Sequence, residues 1–301
     1  MRAKALTWLS AWLNSYALLA LPDSSLPQIL STIDSWPVPH AACAVIRSGE
    51  IVASHGEINR VFRLASITKV ITAWACLIAV EEGSVSLEDA VGPQGSTLRH
   101  CLAHAAGYGF DTSNPIMGVG KRRIYSNTGI ETAARHIAER TGMTFADYMN
   151  EGIFAPLKMH DTALKASPAF GVLSTVADMA LFMKELTQPE LISVATAREA
   201  VTIQFPELGG VIPGLGSFKP NPWGLGIEIR QHKTPHWTGI KNSPQTFGHF
   251  GGSGSMMWID PQVDIAVIAC TDRNFDEWST EALSAWPSLS DAVLDYFDRA
   301  R

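Results

Sequence analysis

The sequence predicts an α/β (α+β) fold in which one antiparallel sheet is built from both ends of the chain and flanked by helices. Strand-like stretches stand near both ends, and the apolar residues between them repeat with helical spacing. The strand-like stretches are Ala41–Arg47, Glu50–Ser54, Trp223–Arg230, Ser255–Ile259 and Ile265–Cys270. This order predicts an inserted, trimmed, all-helical domain between the two parts of a sheet domain.

The individual elements follow from local signals. Ser48–Gly49 predicts the turn of the first hairpin, and Gly83 predicts the end of a helix that starts at Ser66. The stretch Phe205–Pro222 is rich in Gly and Pro, which predicts a loop. The predicted helices are Leu26–Trp36, Ser66–Glu82, Thr97–Ala105, Thr128–Thr141, Phe145–Gly152, Ser174–Leu186 and Glu277–Arg301, the last interrupted at Pro287.

These elements divide the chain into domains. We expect a helical extension over residues 1–25, a sheet domain formed by 26–85 and 205–301, and a mainly helical domain over 86–204. An active site is expected in the cleft between the two larger domains.

Composition excludes several classes of protein. The chain has 301 residues, of which 46% are hydrophobic and 17% charged, whereas about 25% is usual for charged residues. This excludes an intrinsically disordered protein. The formal net charge of −6 argues against a nucleic-acid partner, because such proteins carry a basic footprint.

The first residues allow two interpretations. A basic start at residues 1–4 precedes the largely apolar run Ala5–Leu21, as in a signal peptide. Polar residues interrupt the run, and it is short for a membrane span, so we favour a structural helix and a cytoplasmic protein. A cleaved signal, with secretion or membrane association, is the alternative. The four scattered cysteines predict buried free thiols rather than disulfides.

The first motif with chemical meaning is Ser66-Ile67-Thr68-Lys69. Serine and lysine three positions apart lie on one face of a helix, so the amine can take the serine proton if burial lowers its pKa. The motif alone is weak, but it occurs once and opens a helix.

Two further motifs follow along the chain. Tyr125-Ser126-Asn127 offers a phenol that could relay a proton and an amide that could orient a carbonyl, although the triplet alone is usually a surface turn. His249-Phe250-Gly251-Gly252 precedes a strand, and its glycines would let a ligand approach the backbone. A flexible hairpin is the alternative interpretation of that run.

In this order, the three motifs resemble those of the serine β-lactamase and penicillin-binding-protein superfamily, in its class C-like branch of esterases and D-alanyl-D-alanine peptidases. The resemblance covers about Leu26–Asp272. It includes four supporting segments: Leu98–Gly107, Tyr125–Gly129, Ile153–Met159 and Leu173–Met179.

The resemblance implies a β-lactamase/transpeptidase-like fold and a role for each motif residue. Ser66 would be the acylated nucleophile, Lys69 its proton partner and Tyr125 the general base. Asn127 would contact the substrate. His249 stands where many relatives carry lysine. Backbone N–H groups of Ser66 and Gly252 would form the oxyanion hole, where developing negative charge is stabilised, and Gly251 would belong to the same substrate-binding segment.

One departure from the family pattern bears on the substrate. Relatives that bind β-lactams or peptide C-termini carry Thr or Ser at the position of Phe250. Since phenylalanine has no hydroxyl, a neutral ester is favoured over an anionic substrate, unless Ser253 compensates. Trp223 and Trp237 are further candidates for the pocket.

The sequence therefore predicts a serine hydrolase acting on small esters through an acyl-serine. The alternatives are a β-lactamase or D-alanyl-D-alanine carboxypeptidase acting on amides, and a catalytically silent binding protein. No cofactor or metal is expected: His100 and His104 share a helix face, but no third ligand is indicated. We expect His232 and His236 on a surface loop. The sequence does not specify an oligomeric state.

Overall fold

A computed structural model describes residues 24–299 of the chain. The expectation of a helix or signal over the first residues falls almost wholly outside this range. No helix within the described range is both long and apolar enough to cross a membrane.

The central feature is a six-stranded antiparallel sheet. Its strands are β1 (Ala41–Arg47), β2 (Glu50–Gly56), β8 (Glu228–Ile229), β9 (Phe247–Phe250), β10 (Met256–Asp260) and β11 (Ile265–Thr271). They lie in the order β2-β1-β11-β10-β9-β8. Strand β1 pairs directly with β11, from Ala41 opposite Thr271 to Arg47 opposite Ile265. The predicted sheet built from both parts of the chain is therefore confirmed.

The central strands of the sheet are buried on both faces, whereas the edge strand β2 is largely exposed. Alternate residues of β1 contribute to two cores. Ala42, Ala44 and Ile46 of β1 point into the core shared with the middle helices. Cys43 and Val45 point into the core shared with the last helix. This alternation follows from the two-residue period of a strand, and it explains why β1 and β11 are apolar except for their last residues, Arg47 and Thr271.

Helices cover both faces. They are α1 (Leu26–Leu30), α2 (Thr68–Glu81), α3 (Leu98–Leu102), α4 (Asn127–Thr141), α5 (Phe145–Met149), α6 (Val176–Thr187), α7 (Val194–Ala200) and α8 (Ser279–Arg299). A second small sheet has the order β3-β5-β4, formed by Phe62–Arg63, Val172–Ser174 and Ala163–Leu164. Short 3₁₀ turns at Ser31–Ser35, Ala65–Ile67 and Phe275–Glu277 and a π-turn at Asn150–Phe154 complete these elements.

Four local predictions differ from the structure. The predicted strand Trp223–Arg230 is a strand only at Glu228–Ile229, because Gly226 adopts a left-handed φ of 69° that breaks extended pairing. The predicted loop contains a hairpin of β6 (Gly210–Ile212) and β7 (Gly216–Phe218), and helix α7 is additional. Pro287 lies inside α8 without ending it. Burial of that helix's apolar face against the sheet offsets the proline's cost, about 3 kcal/mol.

The four cysteines are buried free thiols, as the sequence predicts. Burial raises the pKa of Cys43, Cys101 and Cys270 to about 12 and raises that of Cys76 as well. At neutral pH these thiols are therefore protonated and unreactive.

Candidate active site

Ser66 lies in a tight turn just before α2. The turn is the 3₁₀ segment Ala65–Ile67, and Ala65 takes a left-handed φ of 46°. That conformation costs a residue with a Cβ roughly 1–2 kcal/mol, so the surrounding packing must hold it. Ile67 is buried on one side, while Ser66 itself stays half-buried. The turn thus leaves the serine hydroxyl accessible at the N-terminus of a buried helix.

Lys69 lies one turn further along, fully buried. Its Nζ is 3.1 Å from Oγ of Ser66, 2.6 Å from Oδ1 of Asn127 and 2.8 Å from the carbonyl oxygen of Ala169. Burial lowers its pKa from 10.5 to about 7, although the carboxylates of Asp111 and Glu131 oppose the shift.

This pKa decides what the amine can do. Near neutral pH a large fraction of Lys69 is an uncharged amine, with two N–H donors and one lone pair. The two acceptors, Asn127 Oδ1 and Ala169 O, take both donors. The lone pair is then left for the Ser66 hydroxyl proton. The arrangement therefore equips Lys69 to accept a proton from Ser66.

Tyr125 and His249 form a second pair beside Lys69. The Tyr125 hydroxyl lies 3.3 Å from Nε2 of His249, and its ring centroid is 4.7 Å from the Lys69 amine. Nδ1 of His249 is 2.6 Å from the carbonyl oxygen of Phe250, which can only accept, so Nδ1 carries the hydrogen. Nε2 is therefore an acceptor, and Tyr125 donates to it.

Both members of this pair are uncharged at rest. Burial, and then the neighbouring Lys69, lowers the pKa of His249 to about 4. Burial also raises the pKa of Tyr125. At neutral pH the pair is a phenol that donates to a neutral imidazole. Position 249, where many members of the family that the sequence resembles carry lysine, therefore bears no cation here.

Asn127 is fixed at both ends of its amide. Its Oδ1 accepts from Lys69, and its Nδ2 donates to Oδ1 of Asp111 at 2.8 Å. Sequence analysis missed Asp111, which lies in a loop whose residues show no periodic pattern. The exposed carboxylate determines which way the buried amide faces, and one Asn127 N–H remains for a substrate carbonyl.

His104 holds the Tyr125 segment in place. Its Nδ1 accepts from the backbone N–H of Ser126 at 3.2 Å, and its carbonyl accepts from Ile124 N–H at 2.9 Å. Its ring packs 4.8 Å from both the Tyr125 and Trp223 rings. His104 is thus a structural residue, and within residues 24–299 no cluster of ligating side chains suits a metal ion.

The glycines after β9 have different environments. Gly251 donates its N–H to the carbonyl of Ser255 at 2.7 Å, and a Cβ there would meet Leu64 O at 2.3 Å. Gly251 therefore permits close approach to the nucleophile's turn. Gly252 is exposed, open space surrounds its Cα, and its N–H has no protein acceptor within the described chain. Of the two, Gly252 can serve an oxyanion.

The family of this chain follows from comparison with known proteins. The sequence model of the family described as Beta-lactamase matches residues 34–286. The chain belongs to the β-lactamase family, whose members are serine hydrolases. The family and the fold that the sequence predicts are therefore confirmed.

Three relatives illustrate the range of sequence identity and coverage. The chain is 46% identical to a β-lactamase from Mycobacterium bovis, with a TM-score of 0.87 over 89% of this chain and 99% of that one. It is 21% identical to a β-lactamase of Escherichia coli K12 over 87% of this chain and 91% of that protein. It is 29% identical to penicillin-binding protein 4* of Bacillus subtilis, over 35% of this chain and only 30% of that relative.

In this β-lactamase-family chain, Phe250 points away from the candidate site. Its ring lies 5.1–5.8 Å from those of Phe275, Trp237 and Trp286, in the core beneath α8. Ser253 is buried and bonds weakly to Ser255. The Phe250 ring is therefore part of the core rather than of the candidate site, whereas Trp223 packs against Tyr125 and His249. The alternation of β9, which turns His249 toward the site, turns Phe250 to the other face.

A buried ionic cluster is centred on Glu228. Glu228 accepts from Lys233 Nζ at 2.6 Å, His236 Nε2 at 3.0 Å and Trp237 Nε1 at 2.7 Å, and all four are buried. The surface prediction is therefore wrong for His236 but confirmed for His232, which is exposed. Lys233 and His236 are buried because Glu228 accepts hydrogen bonds from both, and the polar residues of the loop do not indicate this in advance.

Proposed function

We propose that this protein hydrolyses small neutral esters through a covalent acyl-Ser66 intermediate. The observation that carries the proposal is the uncharged Tyr125–His249 pair beside the Ser66–Lys69 contact. That pair can take part in proton transfer, but it carries no positive charge that would bind an anionic substrate.

Acylation begins with attack of Ser66 Oγ on the ester carbonyl carbon. A carbon–oxygen bond forms, and the serine proton passes to the lone pair of Lys69, 3.1 Å away. The carbonyl oxygen becomes an oxyanion, for which the backbone N–H groups of Ser66 and Gly252 are the assigned donors. Asn127 holds Lys69 in place from the other side.

Collapse of the intermediate breaks the bond to the leaving alcohol. Tyr125 gives its proton to the departing oxygen and is reprotonated from Lys69. The alcohol thus leaves with the Tyr125 proton, and the proton taken from serine is retained by the Lys69–Tyr125 pair, which returns to its uncharged resting state. Because burial raises the pKa of Tyr125, we assign it the role of a relay rather than a resting phenolate. Water then attacks the acyl-enzyme, with proton transfers in the reverse sense.

The preference for a neutral substrate follows from charge. A carboxylate moved out of water needs a cation or several donors, without which the cost is several kcal/mol. With a pKa of about 4, His249 is neutral at pH 7. The side chain at position 250 has no hydroxyl and faces away. β-Lactams and peptide C-termini carry such a carboxylate, whereas simple esters do not.

The decisive experiment is parallel turnover of a short-chain chromogenic ester and a chromogenic cephalosporin. We expect a higher kcat/KM for the ester, complete loss with Ser66→Ala, and a fall in kcat of about 10²–10⁴ with Tyr125→Phe. Ser35→Ala, an exposed serine, is the matched control and should keep wild-type turnover.

Other outcomes assign the alternatives. A higher kcat/KM for the cephalosporin would favour the β-lactamase reading, which the 46% identity to a protein described as a β-lactamase supports. A fluorophosphonate that fails to add its mass to Ser66 would identify a catalytically silent fold.

A further inference from the structure

Exposed apolar side chains are concentrated next to Tyr125. The described part of the chain has eleven large hydrophobic residues that are at least one-third exposed, and four of them line one cavity. These are Phe110, Ile116, Met117 and Val211, with exposures of 53%, 62%, 40% and 48%. Clustered exposure of this kind marks a binding surface, whereas single exposed hydrophobics do not.

The four residues form the walls of a cavity of about 330 Å³ that Tyr125 also lines. This volume is in the range of small-molecule sites. The Phe110 ring stacks on the Tyr125 ring, with centroids 5.9 Å apart and planes 23° apart. The cavity is therefore continuous with the candidate catalytic group.

Backbone contacts fix both walls. The carbonyl of Gly107 accepts from Ile116 and Met117, and the carbonyl of Phe110 accepts from Asn127 N–H at 2.8 Å. The hairpin that carries Val211 is joined to the segment before Tyr125 by a bond from Arg123 N–H to Gly209 O at 2.9 Å. The apolar walls are thus built into the same framework as the site.

Most of the cavity surface suits an uncharged ligand. The buried Arg123 guanidinium is already bonded to carbonyl oxygens of Ala103, Gln204, Phe205 and Asn221. Arg122 is the exposed cation of the lining within the described chain. The remaining surface is hydrocarbon, so burial of hydrocarbon is the interaction it can supply.

We propose that this cavity binds an aliphatic chain of the ester substrate, so that the enzyme prefers medium-chain over acetyl or methyl esters. The proposal rests on the proposed function and specifies its substrate class. The bound chain can belong to the acyl half or to the alcohol half of the ester, because both halves extend from the carbonyl group attacked by Ser66, close to Tyr125.

The test measures kcat/KM in two series of esters. One lengthens the acyl chain from acetyl to octanoyl with a fixed leaving group, and the other lengthens the alcohol with a fixed acetyl group. We expect one series to rise by about fourfold per methylene over several carbons, the value for hydrocarbon burial. The rising series identifies the half that is bound.

Variants locate the effect. Ile116→Ser and Val211→Ser remove exposed side chains, so the fold should tolerate them, and each should flatten the rising series. Val211→Trp should shorten the longest chain accepted. Ile240→Ser is the matched control, because Ile240 is 79% exposed and outside the cavity; it should leave the slope unchanged.

Labelling of Ser66 separates this proposal from the proposed function. Alkyl p-nitrophenyl phosphonates of increasing length react with a nucleophilic serine whether its substrate is an ester or a lactam. Labelling that accelerates with length in wild type but not in Ile116→Ser supports the cavity. Labelling at equal rates for all lengths, or slopes that the cavity variants leave intact, overturns the cavity and leaves the hydrolase standing. No labelling at all contradicts both.

Discussion

The amine of Lys69 lies 2.6 Å from Oδ1 of Asn127, an amide whose other end is bonded to Asp111. An exposed carboxylate is therefore linked through one amide to the buried amine that contacts Ser66. The negative charge of Asp111 favours the Lys69 ammonium, so the protonation of Lys69 is sensitive to a residue at the protein surface.

The pH dependence of ester hydrolysis should report Lys69. Below its pKa of about 7 the amine is charged and has no lone pair, so kcat/KM should fall as pH decreases through 7. His249, with a pKa of about 4, stays neutral over that range. Asp111→Asn removes a carboxylate that favours the ammonium, so the acidic limb should move to lower pH. Rates from pH 5 to 9 measure this.

The control for the pH experiment is Asp298→Asn, which removes an equal charge from an exposed position on the last helix. Its profile should match wild type. An acidic limb that moves upward in Asp111→Asn, or does not move, contradicts the electrostatic effect of Asp111 on Lys69.

A cation introduced at position 249 should change substrate preference. His249→Lys supplies an ammonium where the site is now neutral, and a hydrogen bond to a charged group contributes about 1.5–3 kcal/mol. We expect kcat/KM for an anionic cephalosporin to rise by about tenfold or more, with no such gain for a neutral ester. Equal changes for both substrates would show that charge at this position does not select the substrate.

Restoring a hydroxyl at position 250 should not have that effect. The Phe250 ring fills space among Phe275, Trp237 and Trp286. Phe250→Thr leaves a cavity and a buried hydroxyl there, so we expect a loss of about 3 kcal/mol in the free energy of unfolding. Urea unfolding measures the loss, and cephalosporin turnover should not improve. A stable variant with faster cephalosporin turnover would show that the threonine faces the substrate.

Removing the Glu228 carboxylate should destabilise the fold, because burial lowers the pKa of Lys233 and the buried amine depends on that counterion. Burial alone would raise the pKa of Glu228, but Lys233 and His236 more than offset this and lower it. The folded pKa is thus below the unfolded one, so the stabilisation is present at neutral pH and is lost as pH falls below about 4. Glu228→Gln leaves Lys233 buried without its counterion, at a cost of about 3–5 kcal/mol.

Thermal unfolding at pH 7 is the measurement for Glu228→Gln. Glu57→Gln serves as its control, because Glu57 is exposed and pairs only loosely with Arg60 at 3.8 Å; it should change the free energy of unfolding by less than about 1 kcal/mol. A Glu228 variant as stable as that control would show that the cluster contributes nothing.

Sequence analysis reached the parts of the site that short spacing encodes. Ser66 and Lys69 meet because a helix brings residues three apart together, and motif order linked them to Tyr125 and His249. Asp111 and the Glu228 cluster escaped because loop closure, not periodicity, brings them to their partners. The direction of the Phe250 side chain could not be predicted, because it depends on the register of β9 against β10, in which Phe250 pairs with Met256.

The order of strands in the sheet also affects how the chain folds while it is being synthesised. Strand β1 emerges from the ribosome early, yet its partner β11 is made after all the helices of the middle segment. At about 5–20 residues per second, the interval is roughly 10–45 s. Throughout it the apolar edge of β1 has no strand on one side, and such edges pair with foreign strands. For that period the nascent chain exposes an unpaired edge, at which association with other chains competes with folding.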